Sequence, residues 1–280
     1  MSLIEPGYLF SQHSLRTYQR CPRRFRLKYI DRQAWPAPEA EDADAYRQHL
    51  EAGLVFHQWI ARALLGIPTV GHDTTLHPDL AAWWEAWQQA DLSALPVGRR
   101  EVELPLVVPL GAYRLYARFD LLALGATGEA VIVDWKTLAH EPDSAALRRS
   151  LQTRVYQYAL VAAGHVITGG APLDPEQVQM RYWFANTGSW VVLPYSRAAH
   201  QQNGRELLAL AERIAAATRE DLVRTDDAWQ CATCGYRTLC EREVPSAEVA
   251  GRAEAGWLAE DLDYARDLSF SLDDVPAIEF

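Results

Sequence analysis

Cysteine is scarce in this 280-residue chain: Cys21, Cys231, Cys234 and Cys240 are all it has. No run of 18 apolar residues occurs, so no transmembrane helix is expected. The opening MSLIEPGYLF lacks a charged stretch followed by an apolar one, and the expectation is a soluble, cytoplasmic protein without a secretory leader. Disulfides are then not expected either. Internal repeats and low-complexity tracts are missing, as is any surplus of positive charge. The formal net charge is −10, a balance that at first argues against a nucleic-acid partner. Its distribution removes that objection. Residues 241–280 hold eleven acidic and three basic residues, leaving 26 acidic against 24 basic in the other 240. Within that nearly neutral body, Arg16 to Arg32 carries seven Arg or Lys against the single Asp31. A local basic patch of this kind can hold a phosphate backbone.

What the chain does have is hydrophobic bulk, 49% of its residues including ten Trp, enough to bury a large core. The most informative stretch is Tyr113 to Thr137, YRLYARFDLLALGATGEAVIVDWKT. It reads as two apolar strands around the turn Gly125 to Gly128. Alternation puts Ile132, Asp134 and Lys136 on one face and Val131, Val133 and Trp135 on the other. Reflection about position 127 sets Asp120 opposite Asp134, with Cβ atoms about 5 Å apart. Two carboxylates that close in apolar strands repel unless a cation or a proton lies between them. Lys136, one pleat further on, completes a group able to hold a divalent metal beside a phosphate. The plainer alternative is a solvated Asp-x-Lys face, and a one-residue slip of register would separate the carboxylates.

Ser11 is an N-cap candidate for a helix running to about Arg32, with Leu15, Tyr18, Phe25 and Tyr29 inward and Pro22 bending or interrupting it. The linker WPAPEAEDADA follows. A second helix, from about Tyr46 to Leu65, carries His57 on its apolar face, either as a core residue or as a metal ligand. The Trp-rich helix Asp79 to Ala90 reads as core or lid. Glu101 to Pro109 reads as a strand in which Glu103 could approach the site, though solvation at an edge is the simpler reading. Ser144 to Ala163 reads as one helix with Gln152 and Tyr156 at i and i+4 and Arg149 a turn earlier on the same face. Strands around Gln177 to Ala185 and Ser189 to Tyr195 follow, joined by a turn at Asn186-Thr187-Gly188, and then a helix from about Ala198 to Arg219.

CATCGYRTLC supplies a C-x2-C pair and a third cysteine six residues on, which leaves Cys21 to complete a four-thiolate site. Such a site suits zinc or a [4Fe–4S] cluster, and the spacing does not choose between them. Either would close a loop of about 210 residues; the chain-entropy model for a crosslink gives roughly 5 kcal/mol as an upper figure. The acidic last forty residues would solubilise the protein, pack on its body, imitate nucleic acid or dock a partner.

Taken together and in order, these pieces resemble the PD-(D/E)XK nuclease superfamily, and within it the RecB-like group with an iron–sulfur staple. That group includes CRISPR-associated iron–sulfur exonucleases and the nuclease domain of AddB. The likeness covers most of residues 11–240. SLRTYQRCPRRFRLKY is similar to the opening helix, GLVFH to the histidine motif and ARFD to the first acidic motif. VIVDWKT is similar to the Asp-x-Lys strand, QTRVY to the Gln-x3-Tyr motif and CATCGYRTLC to the three-cysteine end. Each motif alone is weak; six in order are specific. Two departures are Ala117 in place of a Gly before the first acidic residue, and the acidic tail and Trp-rich segment, which have no counterpart.

The resemblance implies an α/β (α+β) fold of the restriction-endonuclease type, a central mixed β-sheet flanked by helices. It implies an N-terminal helix tied to the C-terminal region by an iron–sulfur site at Cys21, Cys231, Cys234 and Cys240, with zinc the lesser possibility. Residues 1–240 would form the nuclease domain and 241–280 an acidic tail. His57, Asp120, Asp134 and the Trp135 carbonyl would hold Mg²⁺ or Mn²⁺. Lys136 would be catalytic, with Gln152 and Tyr156 orienting it or the DNA backbone. Arg23, Arg24, Arg26, Lys28 and Arg149 would guide the strand. The implied activity is a deoxyribonuclease acting on single strands or ends, in DNA repair, recombination or CRISPR-type processing. With no helicase motif in the chain, unwinding would fall to a protein partner. The alternative is a non-catalytic, iron–sulfur- or zinc-stapled DNA-binding subunit.

Overall fold

The chain begins with β1 (Leu9–Ser11), and Ser11 then caps α1 (Gln12–Arg20) through a reciprocal bond with Ser14. The structure is a computed structural model that describes residues 3–33, 42–68, 75, 77–138, 140–232 and 234–241. The first part of the expected linker, 35–41, and the acidic tail from 242 onward lie outside the described residues.

The single helix expected to Arg32 is broken. Cys21 adopts an extended conformation, ends α1 and caps α2 (Pro22–Phe25), after which Arg26–Ile30 form a π-helical turn. Pro22 lacks an amide hydrogen, so it opens the new helix where it could not continue the old one. The chain continues through α3 (Asp42–Leu64) and α4 (Leu80–Gln88) to the strands β2 (Gly98–Leu110), β3 (Tyr113–Gly125) and β4 (Ala130–Lys136). Then come α5 (Ser144–Arg149), α6 (Leu151–Ala162), α7 (Gly164–Thr168), β5 (Val178–Phe184), β6 (Ser189–Pro194), α8 (Arg197–Ala216) and α9 (Ala228–Ala232). A second expected helix is also divided: Ser150 is extended and caps α6, so Arg149 does not share a helix with Gln152.

The six strands form one mixed sheet in the order β1-β3-β4-β5-β6, with β2 paired to β3. The central hairpin has the register expected from reflection, Leu121 opposite Val133 and Leu122 opposite Ile132. One edge of β3 is paired with β2 from end to end. Its other edge is shared. β1 runs parallel to it at Arg114–Tyr116, and β4 runs antiparallel to it at Leu121–Leu124. Between them, Ala117 to Asp120 have no strand partner on that edge among the described residues. The sheet is therefore split, with Asp120 at the lip of the split.

Helices cover both faces. Leu15, Phe25, Val155, Leu160, Leu207 and Ile214 pack on one face with Ile132, Met180 and Tyr182. Ala52, Phe56, Ile60, Leu80 and Trp83 pack on the other with Val131, Val133, Trp135 and Trp183. The pleat changes phase at the split. Leu115, Ala117 and Phe119 belong to the first layer, as Leu122 does, but Leu121 and Ala123 belong to the second. β2 makes the same change at Glu103, between Val102 and Leu104, without any inserted residue. Glu103 has φ +54, a left-handed conformation that costs a non-glycine residue roughly 1–2 kcal/mol. That local rotation turns both strands over at one level. Among the described residues no helix is long and apolar enough to cross a membrane.

Because both faces of the hairpin are covered, Leu121→Ala and Leu122→Ala should each cost about 2–5 kcal/mol in urea unfolding. A large loss from only one of them would show that one face is open.

Candidate active site

Two residues beyond the last β3–β4 pair, Leu121 opposite Val133, the amide of β4 does not continue the ladder. Trp135 N–H donates to Asp120 Oδ2 at 2.8 Å, so a carboxylate holds the two strands together at the point where they part. Asp120 is 1% exposed and Asp134 is fully buried. A carboxylate so far from water needs donors or cations around it.

Asp134 has both. Gln152 Nε2, from the first turn of α6, donates to its Oδ1 at 2.7 Å, and Lys136 Nζ lies 2.8 Å from its Oδ2. Asp134 and Lys136 share a face of β4, as alternation requires, and that face looks toward α6. The ammonium also lies 5.6 Å from the centre of the Tyr182 ring, on the neighbouring strand directly beside Asp134. Burial, and next the nearby Asp134, push the Tyr182 phenol above its usual range, so it remains a neutral donor. Its hydroxyl pairs with Thr153 Oγ1 at 2.8 Å, and Thr153 in turn donates to Leu147 O. Gln152 and Thr153 are thus fixed by one helix start. Tyr156, one turn along, packs its ring on Phe119 at 5.2 Å.

His57 reaches the same place from the opposite layer. It is 3% exposed, and its Nδ1 lies 3.2 Å from Asp120 Oδ2. Glu103 meets them across β3, and one ligand atom from each of His57, Glu103 and Asp120 falls within 4.8 Å of the others. An imidazole and two carboxylates form a donor set suited to a hard or borderline divalent ion such as Mn²⁺ or Mg²⁺. Asp134 lies outside that group, its carboxylate engaged by Lys136 and Gln152. For Glu103 the sequence left two readings, an approach to the site or the simpler solvated edge. Periodicity could not choose between them, because its position follows from the left-handed backbone at that residue.

Cys21, Cys231, Cys234 and Cys240 all line one pocket, together with Arg24, Arg224, Arg237 and Tyr236. All four are free thiols. Burial pushes the Cys234 thiol up, with the Arg24 guanidinium pulling the other way. The soft, all-sulfur donor set fits an iron–sulfur cluster or zinc, and the arginines offset the negative charge of ligated thiolates. This pocket alters the reading of the basic helix. Arg23 donates to Leu239 O at 3.0 Å, Arg24 is 9% exposed at the pocket wall, and Arg26 pairs with Asp31 at 3.0 Å. Arg23 thus binds the cysteine segment, Arg26 binds the turn at Asp31, and Arg24 lines the cysteine pocket. Lys28 lies over the Tyr29 ring at 5.0 Å, and Arg149 is exposed at the end of α5.

A family model for the PD-(D/E)XK nuclease superfamily matches residues 9–241. Among solved structures, a protein of Eubacterium rectale provisionally named an exonuclease superposes with a TM-score of 0.53. It is 11% identical, over 86% of this chain and 90% of that one. The protein SSO0001 is 13% identical over the same shares, with a TM-score of 0.40. The first likeness shows a common fold. No curated protein matches the chain.

Removing one partner of the buried pair should be costly and removing both less so. Lys136→Met and Asp134→Asn should each destabilise by about 3–5 kcal/mol in urea. The double variant should fall short of their sum by about 1–3 kcal/mol. Additive losses would mean that the two groups are not paired.

Proposed function

Since the chain belongs to the PD-(D/E)XK nuclease superfamily, we propose that it is a divalent-metal-dependent deoxyribonuclease of the RecB-like kind, acting on single strands or DNA ends. The observation that carries this reading is the cluster at the split in the sheet. Asp120, Asp134, Lys136, Gln152 and His57 come from four separate elements and converge, nearly waterless, on one level of the sheet. A purely structural Asp-x-Lys would lie on a solvated face, whereas this one is sealed between two helical layers.

His57, Glu103 and Asp120 would hold the ion, with Asp134 and the Trp135 carbonyl adjoining it. The ion supplies Lewis-acid polarisation of a phosphodiester and a lowered pKa for a bound water. The chain's own residues do the rest. Lys136, paired with Asp134 and next to the electron-rich face of Tyr182, offsets charge developing on phosphoryl oxygens. Gln152 holds Asp134 in one orientation, and the Tyr182–Thr153–Leu147 chain fixes the helix start that carries Gln152. In-line attack would leave 5′-phosphate and 3′-hydroxyl ends. Lys28 and Arg149 remain candidates for guiding the strand.

The four cysteines would hold a [4Fe–4S] cluster, which would bind the start of the chain to its end. Their shared pocket, and the arginine bonds to Leu239 O and from Arg224 to Cys240 O at 2.9 Å, support that role. On this reading residues 1–240 act as one nuclease domain, with DNA repair or CRISPR-type processing as its setting and a separate motor to open duplexes.

End-labelled oligonucleotides should be degraded with Mn²⁺ or Mg²⁺ and not with EDTA. Asp120→Asn and Lys136→Ala should each be slower by about 10²–10³-fold. Equal degradation by wild type and variants would reject catalysis at this cluster and leave a DNA-binding subunit. The purified protein should hold about four irons per chain with absorption in the blue, lost in Cys21→Ser; stoichiometric zinc without iron would replace the cluster by a zinc staple.

A further inference from the structure

Arg118 is a cation beside the proposed ion site to which the reading above gives no part. Its Nε lies 3.4 Å from Glu103 Oε2, with the two side chains 14% and 31% exposed. Glu103 therefore stands between two claims. On one side is this guanidinium; on the other are His57 and Asp120, whose ligand atoms lie within 4.8 Å of a Glu103 oxygen. A divalent ion entering between His57, Glu103 and Asp120 would bring two positive charges to a carboxylate that the Arg118 guanidinium approaches with one. Carboxylates prefer a direct bond to such an ion over a partly solvated ion pair at 3.4 Å.

We propose that Arg118 is a substrate-positioning residue that the metal switches on. In the ion-free protein Glu103 holds its guanidinium; when the ion takes Glu103, Arg118 turns to the phosphate of the incoming strand. This rests on the nuclease reading of the same site and adds to it an order of events, metal before DNA. The geometry favours it, because Arg118 is two residues from Asp120 on β3, beside the stretch of strand edge left open by the split. Guanidinium is also the side chain best matched to a phosphate, through paired hydrogen bonds. The switch needs no movement of the backbone. Only two side chains at a partly exposed rim exchange partners.

The test measures binding of a fluorescent single-stranded oligonucleotide by anisotropy, with EDTA and with Ca²⁺, and gels confirm that the DNA stays intact. Full-length wild type, Glu103→Gln, Arg118→Met and the double variant are compared after thermal melts show that each is folded; Arg118→Lys is held as a milder substitute. Wild type should bind about tenfold tighter with Ca²⁺ than with EDTA. Glu103→Gln should bind about tenfold tighter than wild type in EDTA, because its arginine is already released. Arg118→Met should lose the gain from Ca²⁺. The double variant in EDTA should match Arg118→Met, which excludes a general effect of removing one negative charge. Retention of the Glu103→Gln gain in the double variant would overturn the proposal, as would an undiminished Ca²⁺ response in Arg118→Met. If Mn²⁺-dependent hydrolysis is intact in wild type, such a result sinks only the switch. If hydrolysis is absent, the nuclease reading falls first.

Discussion

Charge held away from water is the condition on which this fold is built. Asp120, Asp134 and Lys136 sit between two apolar layers, where an unpaired ion would cost several kcal/mol. Each neighbour of the site can be read as an answer to that cost. Lys136 neutralises Asp134, Gln152 takes its second oxygen, and a backbone amide and an imidazole meet Asp120. The sheet provides the space. Had β4 continued its pairing along β3, the Trp135 amide would have bonded to the β3 backbone and Asp120 would have lost its donor. The split and the buried charges therefore require each other.

The phase change at Glu103 and Asp120 serves the same end. In an unbroken pleat, residues two apart share a face, and Asp120 would point with Leu122 into one closed layer. Turning both strands over at this level places their carboxylates within reach of His57, beside Asp134 and Lys136 on β4. α3 contributes His57 from one side, and α6 contributes Gln152 from the other. A left-handed non-glycine residue is tolerated here because its neighbours in β2 and β3 pair in register above and below it.

The amino-terminal helices are committed to a different task from the one their charge suggested. Seven basic residues in seventeen read as a nucleic-acid patch, yet Arg23, Arg24 and Arg26 are spent within the protein. Arg23 joins the turn after the first helix to the cysteine segment some 210 residues later, Arg24 lines the cysteine pocket, and Arg26 pairs with Asp31. Net charge along a sequence gives a field, but not the partner; a nearby backbone carbonyl competes for an arginine as effectively as a phosphate does. Arg118 shows the converse, a basic residue outside that run whose position beside Glu103 is the basis of the role proposed for it.

The sequence by itself determined the elements with strong local rules. Alternation and a glycine turn specified the hairpin and its register, Leu121 opposite Val133, because a slip would expose a whole apolar face. The i, i+4 spacing placed Gln152 and Tyr156 together, and the Asn186-Thr187-Gly188 turn joined β5 to β6 as its residues demand. Only the tertiary structure decided the rest. That His57 meets Asp120, that Arg23 and Arg26 bond within the protein, and that Glu103, Thr153 and Tyr182 stand around the site all depend on elements far apart in the chain. The breaks at Cys21 and Ser150 were equally hidden, since helix periodicity continues across a residue whose cap bond ends it. Local preference acts over a few residues, whereas a buried charge is settled by whatever the whole fold brings within 3 Å of it.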